Sequence, residues 1–106
     1  MTEIIEGTAR VTLINVFSVA PHQQDKLIAM LNEATEKTMQ QMRGFISANI
    51  HKSLDGMRVV NYAQWRSKED FEAMRKTPQA TEHMMAIAGM VPFDAHLYEV
   101  CAVHSH

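Results

Sequence analysis

The chain has 106 residues, 46% hydrophobic and 21% charged, with a formal net charge of −2. That length carries one domain with a modest core, and the slight acidity leaves no electrostatic footprint for nucleic acid. No apolar run approaches the ~20 residues that a bilayer span needs, and the acidic start Met1-Thr2-Glu3-Ile4-Ile5-Glu6 lacks the basic region of a secretory signal.

Residues 1–8 have no period and read as a loose arm. Ala9 to Val19 reads as the first strand, apolar on both faces except for Asn15. A buried amide there needs partners, or it costs roughly 1–3 kcal/mol. Its plainer reading is a structural hydrogen bond; its functional reading is a polar group in a pocket. Pro21 suits a first helical position, and the spacing predicts a helix over Pro21 to Met42. Leu27, Met30, Leu31, Ala34, Thr38 and Met42 form its apolar stripe, and Gly44 ends it.

Phe45 to Leu54 and Met57 to Arg66 alternate as strands about the hairpin signal Asp55-Gly56. A two-residue turn there pairs Ile50 with Asn61, Ala48 with Ala63 and Ile46 with Trp65. One face then carries Ile46, Ala48, Ile50, Val59, Asn61 and Trp65, and the other is mixed. Ser67 caps a following helix, in which Phe71 and Met74 point inward. Thr77-Pro78 restarts the helix, with Ala80, Met84, Ile87 and Ala88 as its stripe and His83 on the border. Gly89 and Pro92 end it. Ala95 to about Val103 is the last strand, and His104-Ser105-His106 is a frayed tail.

The order β-α-β-β-α-β predicts an α+β, ferredoxin-like sandwich with a four-stranded antiparallel sheet. It forms a single domain over 1–106, with its core at about 9–103. Helices cover one sheet face. The mixed other face predicts a homodimer, packed sheet to sheet through that open face.

Asn61 and Trp65 stand four apart on one strand, so they face the same way, with small Ala63 between them. A polar hydrogen-bonder, a gap and a flat ring make a wall for a small planar ligand. The plainer reading is a core Trp beside a satisfied amide. With Asn15 and Met side chains they outline a pocket between sheet and helices. Nine methionines suit either an irregular core or such a cavity. His83 is the preferred proton carrier, because strand parity turns His51 away from Trp65. No Gly-rich phosphate loop, Cys-x-x-Cys, His-x-x-x-His or Gly-x-Ser-x-Gly occurs, so nucleotide binding, a specific metal site and nucleophilic catalysis are not expected. Cys101 is the sole cysteine, which fits a cytoplasmic protein.

Val11-Thr12-Leu13-Ile14-Asn15-Val16-Phe17, Gly44-Phe45-Ile46-Ser47-Ala48 and Asn61-Tyr62-Ala63-Gln64-Trp65-Arg66-Ser67, with Asp70-Phe71 following, resemble the antibiotic biosynthesis monooxygenase family over roughly residues 9–100. The resemblance implies a dimeric α+β barrel. Some members oxygenate polycyclic phenols with molecular oxygen and no metal or flavin, using an Asn and a Trp at the spacing of Asn61 and Trp65. It therefore implies that the chain is a monooxygenase without a cofactor. Its partners would be a small aromatic substrate, oxygen and a second copy. Asn61 and Trp65 would be catalytic, with Asn61 bonding the developing oxyanion and Trp65 positioning the ring. Asn15, His83 and Met74 would bind substrate. The arginine of those members has no counterpart in Thr81-Glu82-His83-Met84-Met85. A haem-cleaving branch uses an Asn where Asn15 stands, but a Trp where Met74 stands and a His one residue beyond His83. The alternatives are an isomerase and a non-catalytic binding or scaffold dimer, the scaffold requiring a filled core beside Trp65.

Overall fold

The computed structural model describes residues 2–7 and 9–106. The elements are β1 (Val11–Ser18), α1 (Gln24–Lys37), β2 (Phe45–Lys52), β3 (Arg58–Trp65), α2 (Lys68–Arg75), α3 (Pro78–Ala88) and β4 (Phe93–Tyr98). The strands form one antiparallel sheet in the order β2-β3-β1-β4. This is the α+β ferredoxin-like sandwich that the element order predicts. Among the described residues no helix is long and apolar enough to cross a membrane.

Several boundaries differ from the sequence reading, each for a local reason. The helix expected over Pro21 to Met42 is α1 flanked by 3-10 turns at Pro21–Gln23 and Met39–Gln41. It breaks at Thr38, whose backbone leaves the helical region (φ −129°, ψ −67°) while its N–H still reaches Ala34 O at 3.0 Å. β1 begins at Val11, not Ala9. β4 runs from Phe93 to Tyr98 rather than from Ala95 to Val103, because its partner β1 offers pairing only from Phe17 opposite Phe93 to Thr12 opposite Tyr98.

The hairpin keeps the expected register from Lys52 opposite Val59 to Ser47 opposite Gln64, although its turn is longer than two residues. Ser53 N donates to Arg58 O at 3.0 Å, so the connection spans residues 54–57, with Gly56 at φ +80°. Asp55 organises it, accepting from Met57 N at 3.0 Å and Ser53 Oγ at 2.7 Å. These bonds, with Met57 N–H foremost, hold its carboxyl below the usual carboxylate range. A two-residue and a four-residue turn leave strand parity alike, which is why the register survives. At the other end of the hairpin the expectation fails. A bulge at Ile46 sets Phe45, not Ile46, opposite Trp65.

Side chains supply the remaining anchors. Ser67 Oγ accepts from Asp70 N at 3.1 Å and Thr77 Oγ1 from Ala80 N at 3.2 Å, the two helix caps read from sequence. Gln24, absent from the expected stripe, is buried on α1. Its Nε2 donates to Ser53 O at 3.1 Å and Arg58 O at 3.0 Å, fastening the helix to the hairpin. Residues 2–7 do not hang free. Thr2 Oγ1 donates to Asn49 Oδ1 at 2.9 Å, and the Gln64 amide donates to Glu3 O. The arm so fastened lies on the sheet face away from the helices; Met1 and Thr8 of the expected arm lie outside the described residues.

The core forms two clusters on the helix side of the sheet. Phe17, Leu27, Leu31, Val59 and Ile87 belong to one. Trp65, Phe71, Met74 and Ala80 belong to the other. Burial of these side chains supplies the driving force, at roughly 1.5–3 kcal/mol for each large one.

Gly44 joins α1 to β2 at φ +85°, and a Cβ there would collide with the Asp70 side chain. Gly44→Ala combines a left-handed backbone with that clash. It should destabilise the chain by about 1–3 kcal/mol in urea unfolding. An unchanged midpoint would mean that this junction tolerates a side chain.

Candidate active site

The β1–β3 register sets Asn15 directly opposite Asn61, Leu13 opposite Ala63 and Val11 opposite Trp65. All these odd-numbered positions point to the helix side. Between the two core clusters the sheet therefore presents two facing amides. Asn15 is 4% exposed. Among the described residues, the buried side-chain polar atoms without a hydrogen-bond partner are Asn15 Oδ1 and Asn61 Oδ1. Leaving such an acceptor unmatched costs about 1–3 kcal/mol each. A fold does not need that expense, and a ligand able to donate hydrogen bonds would remove it.

Both amides line a cavity of about 490 Å³ between the sheet and the helices. That volume lies within the range of small-molecule sites, which run about 300–1,000 Å³. Trp65 lines it too and is 2% exposed. Its indole is gripped edge-on by Phe45 (centroids 5.5 Å apart, 87° between planes) and by Phe71 (6.1 Å, 75°). The ring is a fixed wall, and the Ile46 bulge helps to make it one by turning Phe45 toward it. A closed, methionine-filled core, the mark of a scaffold, is not what stands beside Trp65. Methionines contribute to the helix-side wall instead, Met74 from α2 and Met84 and Met85 from α3. Their unbranched thioethers adapt to a flat guest.

Of the residues singled out from sequence, Asn15, Asn61, Trp65 and Met74 meet at this cavity. His83 is not among its lining residues; its Nε2 lies 3.1 Å from Thr38 Oγ1, tying α3 to the end of α1. His51 is exposed on the far face, its Nδ1 3.1 Å from Asn49 O. Sequence reasoning missed Glu72, Arg75 and His96 on the lining. Arg75 carried a usable signal, since it follows inward-pointing Phe71 by one helical turn. His96 carried none, because strand parity assigns it to the far face with Tyr98. Its Nε2 lies 2.7 Å from Asp94 Oδ1. Among the described residues no three of His, Cys, Asp and Glu come together as metal ligands.

The arrangement can hold a flat apolar molecule, grip it against an indole and meet its polar edge with two amides. An amide both accepts and donates, so each can take a phenol O–H or give N–H bonds to an oxyanion.

The chain is 51% identical over 72 residues to the tetracenomycin-F1 monooxygenase of Streptomyces glaucescens, a stretch covering 68% of this chain and 64% of that protein. The match thus spans less than two thirds of the relative's length. A monooxygenase from Streptomyces coelicolor, solved in complex with nanaomycin D, superposes with a TM-score of 0.80 at 26% identity, covering 93% of each chain. A cofactor-independent oxygenase from Streptomyces nogalater gives a TM-score of 0.76 at 20% identity, covering 91% of this chain and 97% of the other, and so attests the fold alone. The antibiotic biosynthesis monooxygenase profile matches residues 10–86, the span that holds both amides and the tryptophan, and the chain belongs to that family.

Proposed function

We propose that this chain is a cofactor-independent monooxygenase acting with molecular oxygen on a phenolic fused-ring or quinone-type substrate held in the cavity. The observation that carries the reading is the facing pair Asn15 and Asn61, whose carbonyl oxygens are buried and unpartnered in a largely apolar cavity beside Trp65.

The chemistry follows from those groups. A phenol of the anthrone type loses a proton from its enol form, and the enolate is electron-rich enough to pass one electron to oxygen. Collapse of the resulting radical pair forms a carbon–oxygen bond and a peroxide anion, which takes back from solvent the proton that the enol gave up and becomes a hydroperoxide. Loss of water then leaves a quinone carbonyl. One oxygen atom enters the product and the other leaves as water, while the ring methylene is oxidised to a carbonyl. Asn61, with Asn15 across from it, gives N–H bonds to the enolate oxygen. The apolar surroundings strengthen these bonds, and the sheet orients them in advance. Trp65 fixes the ring plane, and Met74 closes over it. His83 supports the α1–α3 wall through Thr38, so its part in binding is indirect.

The reading includes a cytoplasmic homodimer joined through the face away from the helices. Ile14, Val16, Val60 and Tyr62 are only half-buried there, and a second sheet would cover them. Sedimentation should give the mass of two chains, and Val16→Arg should return one. A monomeric wild type would sink that part of the reading.

Oxygen uptake by chelator-treated protein, measured with 1,8-dihydroxyanthrone, tests the chemistry. Asn61→Ala should lower kcat/KM about 10²-fold, the size of effect expected when a preorganised oxyanion donor is removed. Uptake unchanged by that substitution would remove Asn61 from the mechanism.

Asn15→Leu and Asn61→Leu offer a complementary check. Each replaces an unmatched amide by an apolar side chain of similar size, so each should gain about 1 kcal/mol and raise Tm by roughly 4–8 °C while activity falls. A lower Tm for both would show that the amides hold the fold together.

A further inference from the structure

We propose that Met85 is an oxidation site at the mouth of the cavity, where an organic hydroperoxide held inside passes its outer oxygen to the thioether and leaves a methionine sulfoxide. The source of that hydroperoxide rests on the monooxygenase reading above; the site itself is a second activity of the same cavity.

Lining residues that are also exposed mark where a cavity meets solvent. On α3, Thr81, Met85 and Ala88 recur at helical spacing, line the cavity and are exposed. Phe93 and Ala95 of the edge strand β4 do the same, although strand parity points them to the helix side. Met85 therefore belongs both to the cavity and to the water outside it. Among the described residues the exposed methionines are Met85 and Met57, at 70% and 55%. Met57 lies on the β2–β3 connection and is not among the lining residues. Met74 lines the cavity too but is only 7% exposed. One methionine thus combines cavity and solvent, and each of the other two has one of them.

The chemistry needs both. The sulfur lone pair attacks the outer oxygen of the hydroperoxide, and the O–O bond breaks. The inner oxygen leaves with the bonding pair and takes up the proton that the outer oxygen releases. A thioether and a hydroperoxide become a sulfoxide and an alcohol, the sulfur oxidised and the peroxide reduced. Charge separates as the O–O bond breaks, so water beside the sulfur assists. Dry Met74 lacks that water, and its sulfoxide would bury a strongly polar oxygen without a partner. Met85 can turn its new oxygen to solvent. The change converts a flexible apolar side chain at the mouth into a polar one, and it is reversible by sulfoxide reductases. An apolar guest then meets a poorer wall, so turnover that lets hydroperoxide reach the mouth raises the KM of the enzyme that formed it.

Met57 is the internal control, and peptide mass spectrometry reads the gain of one oxygen at each methionine. Hydrogen peroxide needs no cavity, so it should oxidise Met85 and Met57 at similar rates. Cumene hydroperoxide, an apolar aromatic peroxide, should favour Met85 by about tenfold, because the cavity holds it beside that sulfur. During turnover of 1,8-dihydroxyanthrone with catalase present, sulfoxide should accumulate at Met85 and not at Met57, while KM rises. Met85→Leu should hold its own KM constant through the same number of turnovers. Equal oxidation of Met85 and Met57 by cumene hydroperoxide, or oxidation of Met74 ahead of Met85, would overturn the site. The two readings fail separately. Selective oxidation of Met85 by cumene hydroperoxide without anthrone-driven oxygen uptake would keep the site and remove the oxygenase. Uptake that needs Asn61, with Met85 and Met57 oxidised alike by cumene hydroperoxide, would do the reverse.

Discussion

Antiparallel pairing of β1 with β3 places Asn15 and Asn61 side by side on the buried face of the sheet, and the rest of the site depends on that register. A slip of either strand by one residue would turn its own amide to the far face and bring Ile14 or Tyr62 in. The register is held by what lies at either end of the amide row. Phe17 and Val59 face each other in one core cluster, and Val11 and Trp65 do so at the other. Two apolar clusters with a polar row between them define where a cavity can stand. Filling the middle with side chains would give a more stable protein without room for a guest.

The cavity's two walls differ in stiffness, for reasons in their covalent structure. The sheet wall consists of paired strands carrying short amides, alanines and a tryptophan clamped by Phe45 and Phe71. The helical wall carries methionines on two short helices that break at Thr77, where Thr77 Oγ1 both caps α3 and donates to Met74 O at 2.8 Å. The two facing amides sit on the rigid side. Adaptable surface sits on the other, where shape matters more than direction. The bulge at Ile46 belongs to the rigid side. One extra residue in β2 brings Phe45 from the mixed face to the edge of the indole.

Much of this was legible in the chain as written. Alternating strands, a Pro-initiated helix, two hydroxyl caps and a Gly-containing hairpin dictate element order, and the order dictates the sandwich. Parity alone puts Asn61, Ala63 and Trp65 on one face, because a strand has period two whatever packs on it. The likeness of the Asn–Trp strand to a family was visible at the same stage, and the match over residues 10–86 agrees.

What the sequence could not decide is whatever depends on where one element stops against another. The end of β4 is fixed by the length of β1, the bulge by how Phe45 fits against Trp65, and the break at Thr38 by α1 meeting the next turn. Gln24 looks like a surface residue until the hairpin carbonyls of Ser53 and Arg58 come within reach of its amide. His83 looks like a candidate acid or base until its ring is found beside Thr38. Arg75 looks like one more exposed cation until the end of α2 is seen to rim a cavity. Local pattern determines direction within an element, since backbone geometry repeats. Contacts between elements are set by side-chain volumes and by which polar groups water abandons, and only the assembled tertiary structure brings those together.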